Sequence, residues 1–458
     1  MQGIKNEIIT IMKSKKRLSK SKELMFFFGL MLYVANMFSQ SQQLPQRWNL
    51  QTCIDYALEN NIQVKAAESN KRIAVVDTKL ARAAMLPAVS ASISQNLSNY
   101  PFTNNEDGTS SLTGSGSYSL NTSWQIFDGG VRSINIKQSD LSNEIAFLDI
   151  EESKDNIKLA IIQNYFQILY TNESIIAFEN ALQLSEAQLE SNKIKLEVGA
   201  VTKSDVSQWE SQYASDKYQL INAQISLDNY KLQLKQLLEL DTLETMEIVI
   251  VEPSKEEVLA LLPDQKTIFQ TAVNIMPQVK SGALNTAYNE LGVTKAKAGY
   301  LPKISLQAGI GTGNLYDKTD YNFTSQLKTN WYNSIGLSVN IPIYSNREVK
   351  SAVEKAKINI ELAKLNQQSI YKDLYANVET TYLNVINSQS QYYAAEEKVR
   401  SSQESYDLME EQFRLGMVNT IELLTEKNTL VSARQQLLQA KYTALINRKI
   451  LDYYQGLI

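Results

Sequence analysis

One construction occurs twice in this chain. Leu86-Pro87 returns as Leu301-Pro302. Gln125-Ile126-Phe127 returns as Pro342-Ile343-Tyr344, and Val198-Gly199-Ala200-Val201 as Leu415-Gly416-Met417-Val418. All three landmarks recur at almost the same distance along the chain. A separation this constant marks a duplicated unit. Each copy reads helix, strand, strand, long helix, Gly turn, helix. Two copies supply only four strands inside a very long helical frame. That combination points to a membrane channel and away from an enzyme.

Composition narrows the field. A net charge of −4 over 458 residues offers no basic surface for nucleic acid. The absence of histidine removes the commonest general base and metal ligand. The single cysteine, Cys53, excludes an intramolecular disulfide and a Cys-based zinc site. It sits on an apolar helix stripe and reads as a small buried residue. No G-x-S-x-G, P-loop or metal-spacing motif occurs, so no catalytic residue, cofactor or metal ligand is assigned.

Residues 1–40 read as an export signal. Lys13, Lys15, Lys16, Arg17, Lys20 and Lys22 precede an apolar stretch from Leu24 to Phe38, and Ser39 and Gln40 follow. That basic-then-apolar order fits a secretory signal better than a spanning helix. No run of about 20 apolar residues follows. A chain that spans a membrane without such a run must do so with strands.

Four segments alternate with period two, near 87–102, 115–127, 302–316 and 331–344. Val89, Ala91, Ile93 and Leu97 oppose Ser90, Ser92, Ser94 and Asn96; Tyr118, Leu120, Thr122, Trp124 and Ile126 oppose Ser119, Asn121, Ser123 and Gln125. Ile304, Leu306, Ala308 and Ile310 oppose Ser305, Gln307, Gly309 and Gly311; Ile335, Leu337, Val339, Ile341 and Ile343 oppose Ser334, Gly336, Ser338 and Asn340. One apolar and one small polar face over roughly 10 residues matches a transmembrane barrel strand. Trp124, Ile126, Leu306, Leu337 and Val339 are expected to face lipid. Aromatics gather at the strand ends, as at lipid–water interfaces. The connections Thr103 to Gly114 and Asp317 to Asn330 read as long polar external loops. Four strands cannot close a barrel, so a membrane reading demands oligomerisation. Two chains give eight strands, whose interior side chains fill; three give twelve, which enclose a passage.

After the strands, helical patterns run over 130–196 and 346–413 with no proline. Each is about 100 Å long at 1.5 Å per residue, which implies a coiled-coil arrangement. Other helices break at Pro277 and near Asn60-Asn61, and Met246 to Val251 reads as a short extra strand at the repeat boundary. The first repeat thus covers 41–240, the inter-repeat strand and linker 241–263, and the second repeat 264–458. Each long helix turns at a glycine, Gly199 or Gly416, placed where a left-handed residue ends a helix. Thr202 with Asp205, and Asn419 with Glu422, have capping-box spacing. Two readings of these acids stand together: helix caps, and an acidic ring at the closed end of a tube. The apolar cluster on the turns, Ala200 and Val201 beside Gly199, Met417 and Val418 beside Gly416, is expected to be a docking surface.

These residues resemble the TolC family of outer-membrane efflux proteins. The likeness spans about Trp48 to Gly456 and rests on the order of its parts: the two Leu-Pro strand entries, the strand exits Gly129-Gly130 and Ser345-Asn346, the two Gly turns, and Gln439 to Ile446 in the last helix. It implies a mostly α fold with a transmembrane β-barrel, built as a homotrimer with a shared 12-stranded barrel in the outer membrane. A 12-helix coiled-coil tunnel would extend into the periplasm. It also implies a passive exit duct for efflux or type I secretion, with a periplasmic adaptor on the tips and an inner-membrane transporter behind. Asp205 and Glu422 fall where the family's tips carry acids. Phe413, Val418 and Thr425 stand where a Tyr, an Arg and a second acid are expected, so an apolar closure replaces that network. The competing reading is a secreted or surface trimeric coiled-coil structural protein or adhesin.

Overall fold

The computed structural model describes residue 45 and residues 47–100, 111–241, 246–250, 253–316 and 322–458. The export-signal segment 1–40 lies outside the described residues, as do 103–110 and 317–321 of the two external connections. Two units are distinguished: Met1–Thr52 with Thr245–Val249, and Cys53–Glu244 with Ile250–Ile458. In the first, Trp48 is buried and forms an isolated parallel bridge with Ile248. The bonds are Trp48 N–H to the Glu247 carbonyl and Val249 N–H to the Trp48 carbonyl, both 2.9 Å. Among the described residues of the strand expected over Met246 to Val251, this bridge is all that forms.

Apart from Leu50–Thr52 at the start of its first helix, the second unit holds the duplication. Helices α1 (Leu50–Asn60) and α2 (Ile62–Ala83) lead into strands β1 (Ala88–Tyr100) and β2 (Ser111–Phe127), then helices α3 (Val131–Glu197) and α4 (Lys203–Leu237). After the short α5 (Lys255–Val258), the second copy repeats the order with α6 (Gln265–Ile275), α7 (Pro277–Lys297), β3 (Lys303–Tyr316), α8 (Phe323–Thr329), β4 (Tyr332–Asn340), α9 (Glu348–Arg414) and α10 (Thr420–Tyr454). The long helices α3 and α9 have 67 residues each, and the return helices α4 and α10 have 35 each. Neither long helix contains Pro or Gly, so nothing interrupts its ladder. The breaks between paired short helices use different chemistry at one position. Pro277 forces Met276 into extended backbone (φ −62°, ψ 126°), whereas Asn61 (φ −60°, ψ 132°) caps the Gln63 N–H at 2.8 Å.

The four strands form one antiparallel sheet in the order β1-β2-β3-β4. The two hairpins join through β2 and β3, so the copies share a sheet, and β1 and β4 are its edges. Three expectations need correction. β2 begins at Ser111, inside the stretch read as a loop. The Asp317–Asn330 connection contains a helix, α8, whose N-cap Asn322 accepts from the Ser325 N–H at 3.1 Å. β4 stops at Asn340, so Ile341 and Ile343 lie beyond it. Pro342, which has no N–H to give a ladder, stands between them.

Two apolar clusters join the second repeat and the helix turns. Ile268, Ala272 and Met276 pack with Leu374, Val378 and Val385 of α9 and with Leu451 and Tyr453 of α10. Near the helix turns, Leu189, Val206, Trp209, Tyr406, Leu423 and Leu430 join both helical hairpins. Cys53 is fully buried, and burial pushes its thiol up to about 12, as befits an inert packing residue. No described helix is long and apolar enough to cross a membrane.

Candidate channel surfaces: the sheet faces and the helix tips

The register assembles the sequence alternation into two continuous faces. Residues directly opposite share a face. Trp124 lies opposite Leu306, and Leu306 opposite Leu337. One step outward, Val89, Thr122, Ala308 and Ile335 form the next row; then come Ala91, Leu120 and Ile310, with the polar Asn333 at the β4 end of that row. The other face carries Ser90, Asn121, Gly309 and Ser334 in one row, and Ser92, Ser119, Gly311 and the aromatic Tyr332 in another. The only Lys, Arg, Asp or Glu in the four strands is Lys303, at the first position of β3. Of the residues expected on the apolar face, Trp124, Leu306 and Leu337 stand in one row, and Val339 stands opposite Ile304. The fifth, Ile126, sits in a register shift: Phe127 takes the place opposite Ile304. One extra residue on β2 at that point leaves Ile126 with no residue directly opposite it on β3. Trp124 also donates its indole N–H to the Met85 carbonyl at 2.9 Å, fixing the ring beside the strand entry.

At the far ends of the long helices, both turns are built alike. Gly199 (φ +71°) donates to the Leu196 carbonyl and Ala200 to that of Lys195, at 3.0 and 2.8 Å. Gly416 (φ +74°) and Met417 repeat the pattern on Phe413 and Gln412, at 3.0 and 2.9 Å. These paired bonds satisfy the last carbonyls of each helix and need a left-handed residue at the glycine. Both return helices begin with complete capping boxes. Asp205 Oδ2 accepts from the Thr202 N–H (2.9 Å) and hydroxyl (2.7 Å), and Glu422 Oε2 accepts from the Asn419 N–H (2.9 Å).

The two acids nevertheless differ. Asp205 Oδ1 accepts from the Thr420 hydroxyl at 2.7 Å, tying the first turn to the second. The Thr202 hydroxyl, then Thr420, hold its carboxyl below the ordinary carboxylate range. Both Asp205 oxygens are thus engaged, whereas exposed Glu422 uses one in its cap. The turns also differ from the sequence reading in what they expose. Val201 and Val418 are half-buried, and Val201 and Phe413 pack against the cluster that joins the hairpins. The outward apolar groups are Val198 (76% exposed), Met417 (70%), Leu415 and Ile421. Val198 and Leu415 are the C-caps of the long helices and Ile421 lies in the first turn of α10, and an apolar residue at such a position was the available signal. Thr425 spends its hydroxyl on the Ile421 carbonyl (2.8 Å).

A second polar link, absent from the sequence reading, lies farther up the same helices. Lys427 and Asp216 are 2% and 3% exposed, with Nζ 2.6 Å from Oδ2. Lys427 also donates to the Ala181 carbonyl of α3 at 3.2 Å, and Gln212 Nε2 donates to Asp216 Oδ1 at 2.8 Å. Gln212 and Asn428 exchange amide hydrogen bonds at 3.0 Å. Burial pushes the Lys427 ammonium pKa down against the pull of Asp216.

Residues 53–239 and 269–456 match the family described as outer membrane efflux protein, one block per repeat. The outer membrane protein TolC of Salmonella enteritidis is 24% identical over 422 residues, covering 90% of this chain and 83% of that protein. The proteases secretion protein PrtF of Dickeya chrysanthemi is 19% identical, covering 91% and 89%. The crystal structure of the Campylobacter jejuni CmeC outer membrane channel is similar with a TM-score of 0.72 at 20% identity, covering 89% and 86%. With both of its repeats matched, the chain belongs to the outer membrane efflux protein family.

Proposed function

We propose that three copies of this chain close a 12-stranded barrel in the outer membrane and form a passive exit duct for efflux or type I secretion. The observation that carries this reading is the sheet: four strands, one face apolar from the Trp124 row to the Leu120 row except for Asn333, an opposite face mostly of small polar residues, and two edges that no other described strand pairs. Open edges in lipid leave backbone groups unsatisfied, so the edges must meet other copies. The Ser, Asn and Gly rows suit a wet lumen, which twelve strands enclose and eight do not. Trp124, Leu306, Leu337 and Val339 then face lipid. Membership of the efflux family, with a relative named for protease secretion, supports a duct over a surface adhesin. Native mass spectrometry of the detergent-extracted protein should give three copies. A stable monomer inserted in bilayers would overturn the reading.

At the other end, the tips dock a periplasmic adaptor, with an inner-membrane transporter behind it. Gly199, Ala200, Val201, Gly416, Met417 and Val418 shape the two turns, and the exposed Val198, Leu415, Met417 and Ile421 offer the apolar contact. Three copies of Glu422 form an acidic ring at the entrance. Asp205 lines it from behind while holding the two turns together.

A further inference from the structure

β3 outruns its partner. The last β3–β4 pair is Gly311 with Tyr332, yet β3 continues to Tyr316 on the β2 side, where Gly114 meets it. Where β4 is missing, α8 stands in its column. Gln326 Oε1 accepts from the Leu315 N–H at 2.6 Å, and Asn330 Nδ2 donates to the Gly313 carbonyl at 2.9 Å. The Thr312 hydroxyl donates to the Leu327 carbonyl at 2.6 Å, and the Phe323 ring meets the Tyr118 ring edge-on at 6.4 Å. Side chains of a helix thus supply the strand-edge bonds that a fourth strand would have made.

We propose that α8 is the outer-rim contact between neighbouring copies, docking on Leu97–Asn99 of the next copy's β1. The proposal rests on the trimeric barrel above. In a closed cylinder, whatever continues the β4 column has β3 on one side and the next copy's β1 on the other. The register locates the contact. Within one chain Ala88 lies level with Gly336, because Ala88 pairs with Ser123, Ser123 with Gln307 and Gln307 with Gly336. β4 runs on to Asn340 before its chain leaves the sheet. If the next copy enters the barrel where β4 ends, its Ala88 meets Asn340 and its Asn96 meets Tyr332. Its Leu97 to Asn99 then pass the end of β4 and face α8. Leu97 is exposed, as are Thr324, Ser325 and Lys328, which lie on the α8 face turned away from Gln326 and Asn330. Hydroxyl and ammonium groups there match the backbone groups of a strand edge, as Gln326 and Asn330 do for β3.

Cysteine cross-linking of the full chain in outer membranes tests this, in a Cys53→Ala background. The rim pairs are Ser325→Cys with Asn99→Cys, and Ser325→Cys with Leu97→Cys. A reference pair, Val89→Cys with Val339→Cys, reports on the β4–β1 seam. Within one chain β1 and β4 are about 14 Å apart, three strand spacings, beyond disulfide reach, so a bond in the reference pair joins two copies; for the rim pairs the multimer bands themselves report a bond between copies. The expected result is conversion of the monomer to dimer and trimer bands with the reference pair and with at least one rim pair. A reference ladder with no rim ladder overturns the rim contact and leaves the trimer standing. No ladder from any pair removes the β4–β1 closure and the rim contact with it.

Discussion

At the scale of single residues, the two repeats solve one problem with different side chains. Gly129 and Gly130 leave β2 in left-handed backbone, φ +72° and +89°; Asn346 and Arg347 do the same after β4, φ +45° and +67°. The equivalent pair is therefore 346–347, one residue beyond the Ser345-Asn346 of the sequence match. A non-glycine residue held there costs about 1–2 kcal/mol. The exposed Arg347–Glu354 pair at 3.2 Å returns little of that. Arg347→Gly should raise stability by about 1 kcal/mol, read as a higher midpoint in thermal melting. A lower midpoint would mean the ion pair outweighs the strain. Glu422→Gln keeps an acceptor for the Asn419 N–H and removes the charge. Trimer yield should hold, while cation preference and block by trivalent cations weaken in planar-bilayer recordings. Unchanged selectivity and block would reduce Glu422 to a helix cap.

Among the described residues, elements are held together by a mixture of apolar seams and one deeply buried ion pair. The Lys427–Asp216 bridge joins α10 to α4, and the Ala181 carbonyl brings in α3. Breaking such a pair by removing one partner strands a charge and costs about 3–5 kcal/mol, more than the intact pair contributes over an apolar replacement. Lys427→Met should therefore lower the urea midpoint strongly, and adding Asp216→Leu should restore most of the loss. If the double variant is as unstable as the single, the interaction is not a simple pair. The surface pairs within helices, such as Arg400 with Glu397, are exposed and carry little of this stability.

The whole molecule poses a lipid question that adjacent residues answer in opposite ways. Leu337 and Ser338 are neighbours on β4, opposite Leu306 and Ser305. An Arg on the lipid side costs up to about 2–4 kcal/mol per copy at the midplane and less toward the interfaces, and the lumen side tolerates it. Leu337→Arg should cut the yield of trimer in outer membranes well below that of Ser338→Arg. Equal yields would place the sheet outside the bilayer.

The duplication, the four alternating segments, the proline-free helices and the capped glycine turns were all readable in sequence. Each is written within a few neighbouring residues, in a period of two or 3.6, a Gly, or an S/T/D/N cap. What crosses long stretches of chain was decided only by the tertiary structure. β2 of the first repeat pairs with β3 of the second, which sets Thr122 opposite Ala308 and Trp124 beside Leu306, and no local pattern marks that choice. The bulge that hands the Ile126 position to Phe127, the helix that fills the end of the β4 column, and the buried Lys427–Asp216 bridge are of the same kind. None has a local signature, because a register, an edge or a buried charge is defined by what packs against it. Lys427 and Asp216 look like ordinary solvated helix residues until α4 and α10 are laid side by side. The sequence by itself therefore determined which elements exist and that one apolar face needs covering; the tertiary structure decided which residues meet across them, since burial and pairing are properties of contacts and not of neighbours in the chain.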